Sequence, residues 1–180
     1  AIPNFGSMEV LCTDKTGTLT EDKIKLIKYV DVNGVVSEEL FLYTYLNSYF
    51  QTGIKNPLDD AILQHKQPDV SAYHKTNEVP FDFYRKRMSV VMEKDGITTL
   101  ICKGAPEEIL KACITDPALI KQANDLYELL SNDGFRVLAI ASKEMGSKPK
   151  FSKEDEDQLQ LKGFVAFLDP PTDPVGEGIG

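Results

Sequence analysis

Cysteine, histidine and long apolar runs are all scarce in this 180-residue sequence, and each scarcity excludes a class of protein. The three cysteines lack the spacing of a zinc or redox site, which indicates reduced thiols in a cytosolic protein. The two histidines are isolated, whereas metal ligands come in clusters. No apolar run reaches the ~18 residues that a membrane-spanning helix needs, and no signal-peptide pattern is present.

Positive charge is also in short supply. The chain has 20 lysines and arginines against 28 acidic residues, which gives a net charge of −8. A nucleic-acid-binding domain normally carries a basic patch, and none is visible here, so nucleic acid is not an expected partner. Any site for an anion must therefore depend on a few local cations.

The most informative stretch is the heptapeptide Asp14-Lys15-Thr16-Gly17-Thr18-Leu19-Thr20. It follows a short apolar strand predicted over residues 9–13, and ligands of open α/β sheets bind beyond the carboxyl ends of strands. Asp14 can attack a phosphorus in line as a covalent nucleophile, while Thr16 and Thr18 offer oxygens to phosphate and metal. The alternative is a polar turn, but a chance match of all seven letters is on the order of one in ten million.

This stretch resembles the phosphorylation motif of the P-type cation-transporting ATPases, a branch of the haloacid-dehalogenase-like superfamily. The resemblance implies that Asp14, Lys15, Thr16 and Thr18 are catalytic and that Asp14 and Thr16 also hold Mg²⁺. Phosphatases of the superfamily carry a second aspartate, a general acid-base, at the position that Thr16 occupies here. A hydroxyl does not take up a proton near neutral pH, so the phosphoenzyme should be long-lived, as a pump requires.

Periodicity and turn signals predict an α+β fold, in which an antiparallel β-sheet is flanked by helices. A hairpin with its turn at Asp95-Gly96 and a helix opened by Asn56 and Pro57 are its clearest elements. We expect this domain to be inserted between two strands of a different sheet, over residues 9–13 and 164–168. The predicted strands cover residues 23–32, 78–102 (with the hairpin turn), 136–141 and 162–168, and the predicted helices cover 38–50, 57–67, 107–113 and 119–133.

The resemblance implies three parts: a stub of the phosphorylation domain with the heptapeptide motif over residues 1–22, a nucleotide-binding domain over residues 23–163, and a hinge and return stub over residues 164–180. The stretch LDPP that begins at Leu168 resembles the family's hinge motif. The Thr-Gly-Asp and Gly-Asp-Gly-x-Asn-Asp loops of the family do not occur in these 180 residues. We therefore expect this 180-residue chain to be a monomer that binds ATP but does not hydrolyse it.

A second candidate site lies where Lys103 and Gly104 lead from a predicted strand into a helix that begins with Pro106. A helix start attracts anions, glycine permits close backbone approach, and a lysine is a point charge for phosphate. An ordinary turn lysine explains the same pattern about equally well.

Phe81 and Phe83 are followed by three consecutive cations, Arg85, Lys86 and Arg87. An aromatic ring beside cations suits an adenine ring and its phosphates. The alternative is that both phenylalanines are core residues with a solvated charge run behind them, and spacing alone slightly favours it.

The family resemblance extends to both of these stretches. PFDFYRKRMSV resembles the strand whose phenylalanine stacks on adenine, KGAPE the second nucleotide motif, and DGFRVLAIA the segment whose arginine reaches the phosphates. Phe83 stands where calcium pumps have an arginine, so contacts to the β-phosphate should differ, and Asp59 is shorter than their glutamate near the adenine amino group. The residues that the resemblance assigns to the nucleotide are Asp59, Phe81, Lys86, Lys103, Gly104 and Arg136.

These motifs together imply the ATP-binding domain of a pump that couples ATP hydrolysis, through an aspartyl phosphate, to cation transport. Within the family, NSYFQTGIKNPLDDAIL looks most like the bacterial magnesium-importing branch. The implied partners are ATP with Mg²⁺ and the phosphorylation, actuator and transmembrane domains of the parent pump, and the domain would face the cytoplasm. The alternative is a soluble phosphatase or phosphotransferase of the same superfamily with a large cap, although Thr16 and the Phe81 and Lys103 motifs favour the pump.

Overall fold

The strands among the described residues form one antiparallel sheet. The structure, a computed structural model, describes residues 24–53, 55–113, 116–146 and 151–169. In chain order the strands are β1 (Lys25–Val30), β2 (His74–Asp82), β3 (Arg87–Lys94), β4 (Ile97–Gly104), β5 (Arg136–Met145) and β6 (Gln160–Leu168). Their order across the sheet is β1-β6-β5-β4-β3-β2, and every neighbouring pair is antiparallel.

Helices cover both faces of this sheet, so the predicted α+β class is confirmed. The helices are α1 (Glu38–Phe50), α2 (Pro57–His65), α3 (Pro106–Lys111) and α4 (Pro117–Asn132), and a 3₁₀ turn covers Lys153–Asp155. Local signals fix where they begin: Ser37 caps α1, and α2, α3 and α4 each have proline at the first helical position. Within the described residues no helix is long and apolar enough to cross a membrane.

The alternation of side chains along the strands divides the interior into two cores. In β3, Val90 and Met92 pack with α1 and α2 on one face, while Val91 packs with α3 and α4 on the other. In β4, Ile101 packs on the α1–α2 side and Cys102 packs on the α3–α4 side. A strand with both faces buried reads as a nearly continuous apolar run, which is how these segments look in the sequence.

The prediction that residues 164–168 belong to a different sheet is wrong. The structure pairs β6 with both β1 and β5, so this segment is an interior strand of the sheet described here. Its residues are buried on both faces, since Phe164 packs into the α3–α4 core and Phe167 into the α1–α2 core. The domain boundary predicted at residue 164 therefore falls inside a strand, and the partner strand predicted over residues 9–13 lies outside the described residues.

Gly163 is required where β6 passes the end of β1. Its φ is +151°, and a Cβ there would overlap the main-chain carbonyl of Val30 and lie 2.9 Å from Cα of Asp31. The backbone of a neighbouring strand cannot move aside as a flexible side chain can. Gly163 therefore lets the edge strand β1 close onto the sheet.

We predict that Gly163→Ala lowers the free energy of unfolding by about 2–4 kcal/mol, because the added methyl group must displace backbone at a φ that alanine rarely adopts. Urea denaturation followed by circular dichroism measures the change. Gly53→Ala is the matched control, since a Cβ at Gly53 meets nothing within 4 Å, and it should change stability by less than about 0.5 kcal/mol. Equal effects of the two substitutions would contradict this account.

Candidate functional site

A cavity of about 570 Å³ opens where β2, β4 and β5 approach the N-termini of α2 and α3. It gathers five of the six residues that the sequence assigns to a nucleotide, and only Arg136 is absent from its lining. The lining residues are Gln51, Asn56, Leu58, Asp59, Phe81, Phe83, Lys86, Met88, Lys103, Gly104, Ala105, Pro106, Glu107, Tyr127, Val137 and Leu138.

Asp59 and Lys103 form a buried ion pair at the floor of this cavity, where they are 3% and 7% exposed. The Lys103 ammonium also donates to Ser48 Oγ at 2.8 Å, and Ser48 Oγ donates to Asp59 Oδ1 at 2.9 Å. Gln51 Nε2 donates to Asp59 Oδ2 at 2.7 Å. The charge of Lys103 is thus neutralised within the floor, which does not support its predicted use as a free point charge for phosphate.

Asp59 also holds the start of α2. Its Oδ2 accepts from the main-chain N–H of Asn56 at 3.2 Å, while its own N–H donates to Asn56 Oδ1 at 2.9 Å, a capping box. Burial acts to raise the pKa of Asp59, but the Lys103 ammonium and the hydrogen bonds outweigh it and hold that pKa below its usual value. The carboxylate is therefore ionised and surrounded by donors.

Phe81 and Phe83 stand at the rim of the cavity, at the end of β2 and in the turn that follows. Phe81 is 53% exposed and Phe83 is 84% exposed, and their rings meet edge to face with centroids 5.8 Å apart. The alternative that both are core residues is wrong, because core side chains of this protein are nearly inaccessible. Two exposed phenylalanines beside a cavity instead form an apolar surface that a flat ring can cover.

Only Lys86 of the three consecutive cations lines the cavity. It sits at φ +53°, and its main-chain N–H donates to the Asp82 carbonyl at 2.8 Å, which closes the turn between β2 and β3. Arg85 and Arg87 instead form ion pairs with Glu156, at 2.9 and 3.3 Å. Of the three cations expected to attract phosphates, one lysine at the rim is therefore left to do so.

Gly104 brings the end of β4 against this turn. A Cβ there would overlap the Lys86 carbonyl and lie 2.7 Å from Cα of Arg87. The next residue, Ala105, donates its main-chain N–H to the same carbonyl at 3.1 Å. Glycine is needed at position 104 because the backbone of the β2–β3 turn occupies the space of a Cβ.

Arg136 lies away from the other five assigned residues. It begins β5, and its guanidinium lies 3.2 Å from the Asp169 carboxylate in an ion pair that is about half exposed. The residues that follow it in β5, Val137 and Leu138, line the cavity, whereas Arg136 does not. Arg136 therefore needs to leave Asp169 to reach a ligand in the cavity.

Sequence reasoning missed Ser48, Gln51 and Tyr127 as parts of this site. Tyr127 fits the apolar periodicity of the helix predicted over residues 119–133, and that pattern indicates nothing beyond packing. In the structure it lines the cavity and donates its hydroxyl to Glu107 Oε2 at 2.9 Å. Ser48 contacts partners 11 and 55 residues away, so no local pattern indicates its role.

The part of the chain that the structure describes has no metal site in or beside this cavity. Within the described ranges no group of three or more His, Cys, Asp or Glu side chains could hold a metal ion. The predicted catalytic residues Asp14, Lys15, Thr16 and Thr18 lie outside the described residues.

Comparison with known proteins gives one family match and several relatives. The family described as "P-type ATPase, cytoplasmic domain N" matches residues 13–173. The chain is 41% identical to "Magnesium-transporting ATPase, P-type 1" of Escherichia coli (strain K12), over 99% of its own length and 22% of that protein. It is 32% identical, with the same coverage, to a "Probable cation-transporting P-type ATPase" of Mycoplasma genitalium, and 30% identical to "Plasma membrane ATPase 2" of Saccharomyces cerevisiae, of which it covers 19%. The chain thus spans about a fifth of the length of these relatives.

We predict that Asp59→Asn destabilises the fold by about 3–5 kcal/mol near neutral pH, because Lys103 loses its buried counterion. The folded-state pKa of Asp59 is depressed, so its contribution is complete above the unfolded pKa of about 3.9 and is lost as the pH falls through the folded value. The difference between the parent chain and the variant should therefore shrink in strong acid. Urea denaturation over a pH series measures it.

The neighbouring acid provides the control for this prediction. Asp60 is in the same turn of α2 but exposed, so Asp60→Asn should change stability by less than about 0.5 kcal/mol at every pH. A pH-independent loss in Asp59→Asn would show that the ion pair is not the source of the effect.

Proposed function

The chain belongs to the family of P-type ATPase cytoplasmic N domains, and from that premise we propose that its cavity binds the adenosine part of ATP. The observation that carries this proposal is the pair of exposed phenylalanines, Phe81 and Phe83, at the rim of a cavity with a neutralised floor. A contiguous exposed apolar patch beside a cavity marks a candidate ligand site, and stacking on a nucleobase would cover these two rings.

The size and lining of the cavity support a nucleoside. Its volume of about 570 Å³ lies within the 300–1,000 Å³ that is typical of small-molecule sites. Leu58, Met88 and Leu138 give it apolar walls, while the amide of Gln51 lies beside the ion pair at the floor. In our proposal Phe81 stacks on the ring, and the polar floor faces the ring edge.

The phosphates of ATP would extend toward Lys86 at the rim. Because Arg85 and Arg87 are held by Glu156, a single lysine supplies the positive charge there. The two acids on the lining are also engaged, Asp59 by its donors and Glu107 by Tyr127, so the cavity does not fit a metal ion. Binding should accordingly be led by adenine and be nearly independent of Mg²⁺.

For the whole protein we propose a pump that couples ATP hydrolysis to cation transport, with magnesium as the cation, as the name of the Escherichia coli relative indicates. Asp14 would accept the γ-phosphoryl group, with Lys15, Thr16 and Thr18 around it. Mg²⁺, held at Asp14 and Thr16, would neutralise charge on the phosphate when bound.

The partners in this proposal are the phosphorylation, actuator and transmembrane domains, with the N domain on the cytoplasmic side of the membrane. A hinge motion near residues 19–23 and 169–171 would carry the bound ATP to Asp14. The 180 residues alone should bind ATP without turnover.

We predict that Phe81→Ala weakens ATP binding about 5- to 150-fold, since stacking on an aromatic side chain contributes roughly 1–3 kcal/mol per base. Calorimetric titration with ATP and GTP, with and without Mg²⁺, measures it. Tyr84→Ala is the matched control, because Tyr84 is an exposed aromatic of the same turn that does not line the cavity. Equal losses in the two variants, or equal affinity for ATP and GTP, would contradict an adenine site.

We predict that Asp169→Asn strengthens binding of ATP by about 1.5- to 5-fold, because it frees Arg136 from an exposed ion pair whose strength is about 0.2–1 kcal/mol. Adenosine, which has no phosphates, should bind equally to both forms. Asp125→Asn removes the same charge from another exposed pair at 3.2 Å, with Lys121, and should have no effect. An equal gain for adenosine, or none for ATP, would show that Arg136 does not reach the phosphates.

A further inference from the structure

Glu156 is a buried acid in the segment that connects β5 to β6. It follows the 3₁₀ turn Lys153–Asp155 and is only 1% exposed. Its Oε1 accepts from Arg85 Nε at 2.9 Å and from Arg87 Nε at 3.3 Å, and its Oε2 accepts from Ser89 Oγ at 2.5 Å. A carboxylate so completely engaged fixes its partners in place.

Arg85 transmits that constraint to the turn between β2 and β3. Its guanidinium pairs with the Asp82 carboxylate and donates from Nη2 to the Pro80 carbonyl at 2.8 Å and the Arg87 carbonyl at 3.3 Å. Its own N–H donates to Asp82 Oδ1 at 2.7 Å. The acceptors of these hydrogen bonds belong to residues that flank Phe81, Phe83 and Lys86 in the sequence.

Arg87 holds the other end of the same turn. It donates from Nη2 to the main-chain carbonyl of Glu156 at 3.4 Å and from Nη1 to that of Glu108 at 3.2 Å. The formal charges of the two arginines equal those of the acids Glu156 and Asp82, and of the four side chains Asp82 is the most exposed.

Glu156 acts from the side of the sheet that faces away from the cavity floor. Its partner Ser89 follows Met88 in β3, and Met88 lines the cavity with the α1–α2 core behind it. Cys102, whose Sγ lies 3.9 Å from Glu156 Oε2, belongs to the α3–α4 core, while the next residue, Lys103, forms the cavity floor. Glu156 therefore does not line the cavity and affects it through the residues that it holds, above all those of the turn.

We propose that Glu156 is a positioning residue for nucleotide binding, because it fixes Arg85 and Arg87 and thereby holds the turn that presents Phe81, Phe83 and Lys86 to the cavity. This inference rests on the proposed function. A turn that is already ordered loses less conformational freedom when a ligand binds, so it raises affinity without touching the ligand.

The test is Glu156→Gln, which keeps the size of the side chain and removes the charge that both arginines share. ATP affinity should fall about tenfold at a temperature where the variant is fully folded. Val165→Ala is the control, since Val165 is buried in β6, a strand that contributes nothing to the described cavity lining. It should lower the melting temperature and leave ATP affinity within about twofold.

Two further measurements separate positioning from a loss of stability. The chain has no tryptophan, so Tyr84→Trp places a single fluorescent reporter in the turn. Its anisotropy decay should show faster local motion when Glu156→Gln is added and no change with Val165→Ala. In a double-mutant cycle, Glu156→Gln and Phe81→Ala should weaken ATP binding by less than the product of their separate effects, because both act through the turn.

The outcomes distinguish this inference from the function on which it rests. If the parent chain does not bind ATP, the proposed function fails. If the parent chain binds ATP but Glu156→Gln binds equally well, or loses no more affinity than Val165→Ala, Glu156 is a structural residue only. The positioning role would also be overturned if the double variant lost ATP affinity by the product of the factors measured for Glu156→Gln and Phe81→Ala alone.

Discussion

The main chain at Gly104 touches the main chain at Lys86 and Arg87, and this contact leaves no room for a side chain. The rest of the site depends on it. The β2–β3 turn, which carries Phe83 and Lys86, is held against the end of β4, where Lys103 enters the floor and α3 begins. A residue larger than glycine would separate the rim of the cavity from its floor. A backbone contact thus sets the position of the aromatic and charged side chains.

Opposite charges around the cavity neutralise one another. Lys103 is paired with Asp59, Arg85 and Arg87 with Glu156, and Arg136 with Asp169. What remains for a ligand is mostly apolar walls, two exposed rings and Lys86. This explains how a chain of net charge −8 could bind a polyanion: most of the affinity would come from covering apolar surface, which long-range repulsion scarcely affects.

Features that depend on neighbours in sequence could be predicted. The bounds of α1, the cap formed by Asn56 and Pro57, and the turn at Asp95-Gly96 follow from local preferences of the backbone, and the structure has all three. The exposure of Phe81 could not be predicted from periodicity, because a strand at the rim of a cavity has the same alternation as one in a core. Only the resemblance of its flanking motif indicated a site.

Features that depend on distant residues could not be predicted. Glu156 meets Ser89 across 67 residues and Lys103 meets Ser48 across 55, so their roles exist only after the sheet has formed. The sequence predicts a second sheet for residues 164–168, but an apolar strand pattern does not indicate which sheet the strand joins. Strand pairing decides that question, and pairing is a property of the whole chain.

The two buried acids hold the same hairpin from opposite faces. Asp59 binds Lys103 on the α1–α2 side of β4, and Glu156 binds Ser89 on the α3–α4 side of β3. Since successive residues of a strand alternate between faces, a short stretch of hairpin beside the cavity is fixed from both sides. A domain that delivers a nucleotide by hinge motion needs the cavity to move as a unit, because a rim that shifted against its floor would release the ring before the phosphates arrived. The two buried acids therefore fix the rim of the cavity relative to its floor, as the proposed function requires.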